Sequence, residues 1–92
     1  MDIERWPQLG CLLSLSRELP TLQVWLFGSA RYSDDPADLD VLLIYTDRSY
    51  VVALRKMRPW TEYEPPIHII AMTSLEVAEY DFVATTGAIR LV

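Results

Sequence analysis

Cysteine is nearly missing from this chain. Cys11 is the only one in 92 residues, which excludes an intramolecular disulfide and a thiolate zinc cluster built within one chain. A lone thiol fits a reducing compartment, and a soluble cytoplasmic protein is the expectation. Basic residues are in deficit, with 8 Lys and Arg against 13 Asp and Glu for a net charge of -5. That balance excludes a protein that holds duplex nucleic acid by bulk phosphate neutralisation, so any such contact has to be local. Long apolar runs are lacking too, and nothing approaches the length of a membrane span. The opening MDIERWPQLG is acidic where a signal peptide is basic, and Pro7 and Gly10 interrupt it. Repeats, low-complexity tracts and linkers are absent, which leaves a single domain over residues 1–92.

What is present suffices for a core. The chain is 51% hydrophobic and 11% aromatic, which sets disorder aside, although its length is near the lower limit for a fold without disulfide or metal. Leu9, Leu12, Leu13 and then Leu15 or Ser16 recur at helical spacing after Pro7, with Cys11 as a small filler and Pro20 as the stop. Residues 21–27 alternate Leu22, Val24 and Leu26 with Gln23, Trp25 and Phe27, a strand covered on both sides and closed by Gly28. A polar loop over 30–37, in which Asp34 and Asp35 read as solvated, leads to a second strand over about 38–45. Residues 46–49 supply caps for a second helix bearing Tyr50, Val51, Leu54 and Met57, ended by Pro59, with Arg55, Lys56 and Arg58 as a solvated basic side. Pro65 and Pro66 precede a third strand over 67–72. Thr73, Ser74 and Glu76 form a capping signal for a last helix carrying Leu75, Val77, Ala78 and Phe82 and ended by Gly87. Residues 89–92 are a tail that packs or pairs at an edge. The order predicts an α+β fold, a small three-to-four-stranded mixed sheet with about three helices mainly on one face and the other face free for chemistry.

Residues 27–45, FGSARYSDDPADLDVLLIY, concentrate the chemistry. Strand alternation sends Asp38 and Asp40 to one face and Leu39 to the other. Two carboxylates side by side repel unless a cation sits between them, and a hard divalent ion such as Mg²⁺ or Mn²⁺ suits their oxygens. Gly28 and Ser29 end the preceding strand, where a missing side chain lets a phosphate approach backbone N–H groups. A helical turn beginning at residue 30 would add a favourable dipole, and Arg31 is the one basic residue close enough in sequence to join that anion site. The parts amount to a seat for a metal-bound triphosphate.

Gly28 and Ser29, then eight residues, then Asp38-Leu39-Asp40 and an apolar run resemble the nucleotidyltransferase superfamily that includes DNA polymerase beta, and most of all its minimal nucleotidyltransferases. The resemblance implies a nucleotidyltransferase fold in which Ser29 and its backbone hold the β and γ phosphates. It also implies that Asp38 and Asp40 ligate two metal ions while a nucleoside monophosphate passes from a nucleoside triphosphate to a hydroxyl acceptor. The family places a third carboxylate on a later strand beside the pair. His68 takes that position here, able to accept a proton near neutral pH but a poorer Mg²⁺ ligand, and Glu62 or Glu64 upstream is the other source of a carboxylate.

Each residue also has a plainer reading. Asp-x-Asp pairs are commonly turns or caps, Ser29 suits a turn hydroxyl, and His68 suits a half-buried strand histidine. Trp60 and Tyr63 read first as core and rim, with base stacking as the sharper alternative. The function classes that follow are a metal-dependent nucleotidyltransferase, a catalytically weakened antitoxin-like binding module that docks a helical partner protein or a second copy of itself, and a plain interaction domain.

Overall fold

A computed structural model describes residues 6–58 and 60–92. The elements are α1 (Pro7–Arg17), β1 (Gln23–Phe27), a 3₁₀ turn (Ser29–Arg31), β2 (Leu39–Ile44), α2 (Arg48–Met57), β3 (Ile67–Met72), α3 (Ser74–Tyr80), α4 (Phe82–Thr86) and β4 (Ile89–Arg90). The sheet has four strands in the order β3-β2-β1-β4. β1 is antiparallel to both β2 and β4, and β2 is parallel to β3, so the sheet is mixed and the fold is α+β. The first five residues, read above for the absence of a signal sequence, and Pro59, expected to stop α2, lie outside the described residues.

Register explains the core. Residues paired across the ladder share a face, so Val24, Leu43 and Ala71 form one row and Leu26, Val41 and Ile69 the next. Leu9, Leu12 and Leu13 from α1, Leu54 from α2 and Trp60 close over these rows, and all of them are buried. Gln8 is buried beside them and its Nε2 donates to Pro65 O at 2.9 Å, tying α1 to the segment that leads into β3. Ser16 turns its hydroxyl back to Leu12 O at 2.7 Å, which lets a polar side chain sit inside.

Helix ends follow local chemistry. Asp47 caps α2, its Oδ1 accepting from the Ser49 N–H at 2.9 Å and the Ser49 hydroxyl at 2.6 Å. Thr73 and Glu76 make the reciprocal capping box that the sequence pattern predicts. Gly87, at φ 67°, ends α4 as expected.

Two features correct the expected arrangement. The single last helix is divided, because Asp81 adopts a left-handed conformation at φ 52° and turns the chain between α3 and α4. Aspartate tolerates that region better than most side chains, so no glycine marks the break. The helices are also not gathered mainly on one side. On the face that carries Phe27 and Asp40, Leu42 and Ile44 are buried, and Phe82 of α4 meets Phe27 edge to face at 5.0 Å between ring centroids. Only part of that face is open.

Replacing Leu43 with Ala removes side-chain volume from the closed face, and should cost about 2–5 kcal/mol in urea unfolding. Asp47 gives a pH-dependent prediction. The Ser49 hydroxyl first, and the Ser49 N–H second, hold its carboxyl below the ordinary value of 3.8. A depressed acid stabilises the fold above that value, and the contribution fades as pH falls below it through the lower folded-state value. Asp47→Ala should therefore lower stability at neutral pH, and its deficit against wild type should shrink below pH 3.8, in urea unfolding followed across that range.

Candidate functional site

The site is assembled at one end of the sheet by the pairing of three strands. Phe27, the last residue of β1, is opposite Asp40, and Asp40 is in turn beside His68 of β3. The three side chains project from the same face, so Asp40 stands between an aromatic ring and an imidazole. Its carboxylate is 25% exposed, and Oδ1 lies 3.3 Å from His68 Nδ1, whose side chain is 64% exposed.

Gly28 follows Phe27 with φ 77° and ψ -162°, a combination that costs any residue with a Cβ. Space imposes the same choice independently. A Cβ at position 28 would press on Asp40 Oδ2 and stand 3.1 Å from Asp40 Cγ. The bend and the carboxylate are thus in direct apposition, which is the proximity that the sequence reading requires of them.

Ser29 opens the 3₁₀ turn, with its carbonyl accepting from Tyr32 N at 3.1 Å and Ser33 N at 2.8 Å. The N–H groups of Ser29 and Ala30 head this turn, where helical geometry supplies no internal acceptor. Ala30 is buried and pins the turn to the core.

Arg31 has a structural duty that sequence reasoning missed. Its Nε donates to Gly28 O at 3.2 Å and its Nη1 to Gly87 O at 2.9 Å, so one guanidinium ties the bend after β1 to the end of α4. Gly87 is shaped for it, since a Cβ there would stand 2.6 Å from Nη1. The only sequence signal was the glycine itself, which reads equally well as a plain helix stop. Two of the three guanidinium nitrogens are occupied, leaving Nη2 for an anion.

Asp38 lies one residue outside β2, is exposed, and makes no hydrogen bond or ion pair among the described residues. Gly28, Asp40 and His68 are brought together, with Ser29 next along the chain. Among the described residues, no three His, Cys, Asp or Glu side chains converge as a metal-holding group. Glu64 lines a cavity of about 430 Å³ with Trp6, Asp34, Asp35 and Pro65. Trp60 is 3% exposed and belongs to the core, so the plainer of its two readings holds, while Tyr63 is exposed.

Comparison of the chain with known protein families, curated proteins and solved structures gave no match.

Gly28→Ala meets both the backbone penalty and the Asp40 carboxylate, and is expected to destabilise the protein by about 1–3 kcal/mol or more. Shortening the acid should relieve part of this. In a double-mutant cycle read by urea unfolding, Gly28→Ala should cost less in an Asp40→Ala background than in the wild type, and equal costs would show that the two positions do not compete for space.

Proposed function

We propose that the corner formed by Gly28, Ser29, Asp40 and His68 binds a nucleoside triphosphate with a divalent metal and transfers its nucleoside monophosphate to a hydroxyl acceptor. The observation that carries this reading is the direct apposition of a side-chain-free bend and a half-buried carboxylate. The bend leaves room and N–H donors for phosphate oxygens, and the carboxylate stands where a cation bridging to those oxygens would be neutralised.

The donor set fits Mg²⁺ or Mn²⁺. Magnesium is commonly held by one or two carboxylates together with substrate phosphates and water, so Asp40 would be the principal protein ligand, with exposed Asp38 two residues before it as the second, and no third protein acid would be needed. Once bound, such an ion supplies charge stabilisation on the phosphoryl oxygens. The chain's own groups have separable tasks. Ser29, with its hydroxyl and the N–H groups of the turn, holds the β and γ phosphates, and Arg31 Nη2 adds a positive charge beside them. His68 presents Nδ1 to Asp40, and the tautomer that donates there leaves the Nε2 lone pair to accept the proton of an acceptor hydroxyl. Asp40 then has two duties, as a metal ligand and as the partner that orients the imidazole.

A second reading is favoured by the identity of residue 68. The resemblance implies a carboxylate beside Asp40, and the residue registered there is a histidine. A weakened site of that kind would bind nucleotide and metal without turnover, in an antitoxin-like module that acts by docking a partner protein.

Labelled ATP, Mg²⁺ or Mn²⁺ and a panel of hydroxyl acceptors test both. The transfer reading expects pyrophosphate release that disappears in Asp38→Ala and Asp40→Ala. Nucleotide with metal at ~100 times its Kd should also stabilise the folded chain by about 2.7 kcal/mol, an effect lost in Asp40→Ala. Stabilisation without pyrophosphate under either metal selects the binding module, and neither effect rejects the site.

A further inference from the structure

The two edges of this sheet are unlike. β4 at one edge is two residues long, whereas β3 at the other runs for six, IHIIAM, without proline or a permanently charged side chain. Leu39 N–H donates to Pro66 O and Tyr45 N–H to Met72 O, so the even-numbered residues along this strand turn their backbone groups toward β2. By alternation, the N–H and C=O groups of Ile67, Ile69 and Ala71 point out of the sheet. Among the described residues none of these groups has a hydrogen-bond partner. An edge this long is ordinarily blunted by proline, lysine or a bulge, and β3 carries none of these.

A groove lies along the same edge, between β3 and α2. A cavity of about 520 Å³ is lined by Arg55, Arg58, Trp60 and the start of β3, His68 included, and one of about 200 Å³ by Arg48, Arg55 and Ala71, among others. Arg55 borders both, so the two lie side by side along the strand. Arg48, Arg55, Lys56 and Arg58 are all exposed, and they are four of the chain's 8 basic residues in a stretch, 48–58, that contains no acid. In a chain of net charge -5, this concentration of positive charge at an open edge is local and one-sided.

We infer that this edge docks an extended acidic polypeptide segment, which adds to β3 as a further strand. Its main chain pairs with the outward groups of Ile67, Ile69 and Ala71, and its carboxylates face Arg48, Arg55 and Arg58. The outward groups recur at every second residue, about 6.4–6.8 Å apart, which is the repeat of a peptide strand. A single-stranded nucleic acid would satisfy the arginines but leave this alternation of donors and acceptors unused, and Trp60, though it borders the larger cavity, is only 3% exposed and presents little ring surface for stacking. A second copy paired edge to edge about a two-fold axis would bring two basic flanks together, which charge repulsion opposes. The docking does not use Asp40 itself: Ile67, Ile69 and Ala71 turn their side chains to the opposite face of the sheet, and His68 is the residue that borders both the groove and the acid site.

The test titrates the full chain into a fluorescein-labelled synthetic peptide alternating Glu and Val, followed by fluorescence anisotropy. A Lys–Val peptide and a labelled oligothymidine are the comparisons. The acidic peptide should bind tightest, and its amide exchange effects should centre on Ile67, Ile69 and Ala71. Arg55→Glu with Arg58→Glu should weaken it by ~10-fold or more, as should raised salt. Ile69→Pro removes one outward N–H and no bond to β2, and should also abolish strand addition. If that variant fails to fold, the charge reversal at two exposed positions still decides the matter. Equal affinity for the basic peptide, affinity that survives charge reversal, or tighter binding of oligothymidine would each overturn the proposal. So would a dimer in sedimentation that Ile69→Pro converts to monomer, since the edge would then be filled by a second copy.

Discussion

One small volume, between the backbone of residue 28 and the carboxylate of Asp40, governs how this end of the sheet is built. Only a residue without a side chain can turn there, both because the backbone is left-handed and because Asp40 fills the space a Cβ would need. Once the chain has turned at Gly28, the 3₁₀ turn follows, Ala30 drops into the core, and Arg31 is aimed back at the Gly28 carbonyl. The candidate site is therefore a consequence of packing before it is a constellation of reactive groups. Its acid is held by pairing with β1 on one side and β3 on the other, which leaves the carboxylate little freedom to wander.

Much of this was legible in the order of residues. Alternation in TLQVWLF identifies one strand by a periodicity that no helix shares, and the unbroken apolar run after Asp40 identifies a second by its shortness and the polar turn residues that bound it. Leu9, Leu12 and Leu13 identify α1 for the converse reason, and the apposition of Gly28 and Asp40 follows from joining two adjacent strands at one end. What escaped the sequence is non-local. The clamp from Arg31 to Gly87 spans 56 positions, and nothing near either residue announces the other. The turn at Asp81 uses an aspartate in a conformation normally signalled by glycine. The burial of Leu42 and Ile44 depends on where the C-terminal helices return, so a strand read as having one open face proved to be covered along most of its length.

The two faces and the two edges divide the molecule's tasks. One face is closed by α1, α2 and Trp60, which provides the stability, and the other is covered until it opens around Asp40 and His68. The basic groove beside β3 lies near the same end of that strand and has His68 in common with the acid site. His68 is where the two come closest, because its ring meets Asp40 while its strand borders the groove. A segment laid along β3 would thus be felt at the imidazole through the strand that carries it.

The strand order has a bearing on how the chain assembles itself. The pairing of β1 with β2 spans only residues 28–38, so this ladder closes at a small entropic cost. Among the described residues the other side of β1 is satisfied by β4 and by Leu91 and Val92 beyond it, far along the chain. The pairing of β1 with β2 can therefore form while the other flank of β1 is still bare, and residues 89–92, distant in sequence, act as the latch that seals it.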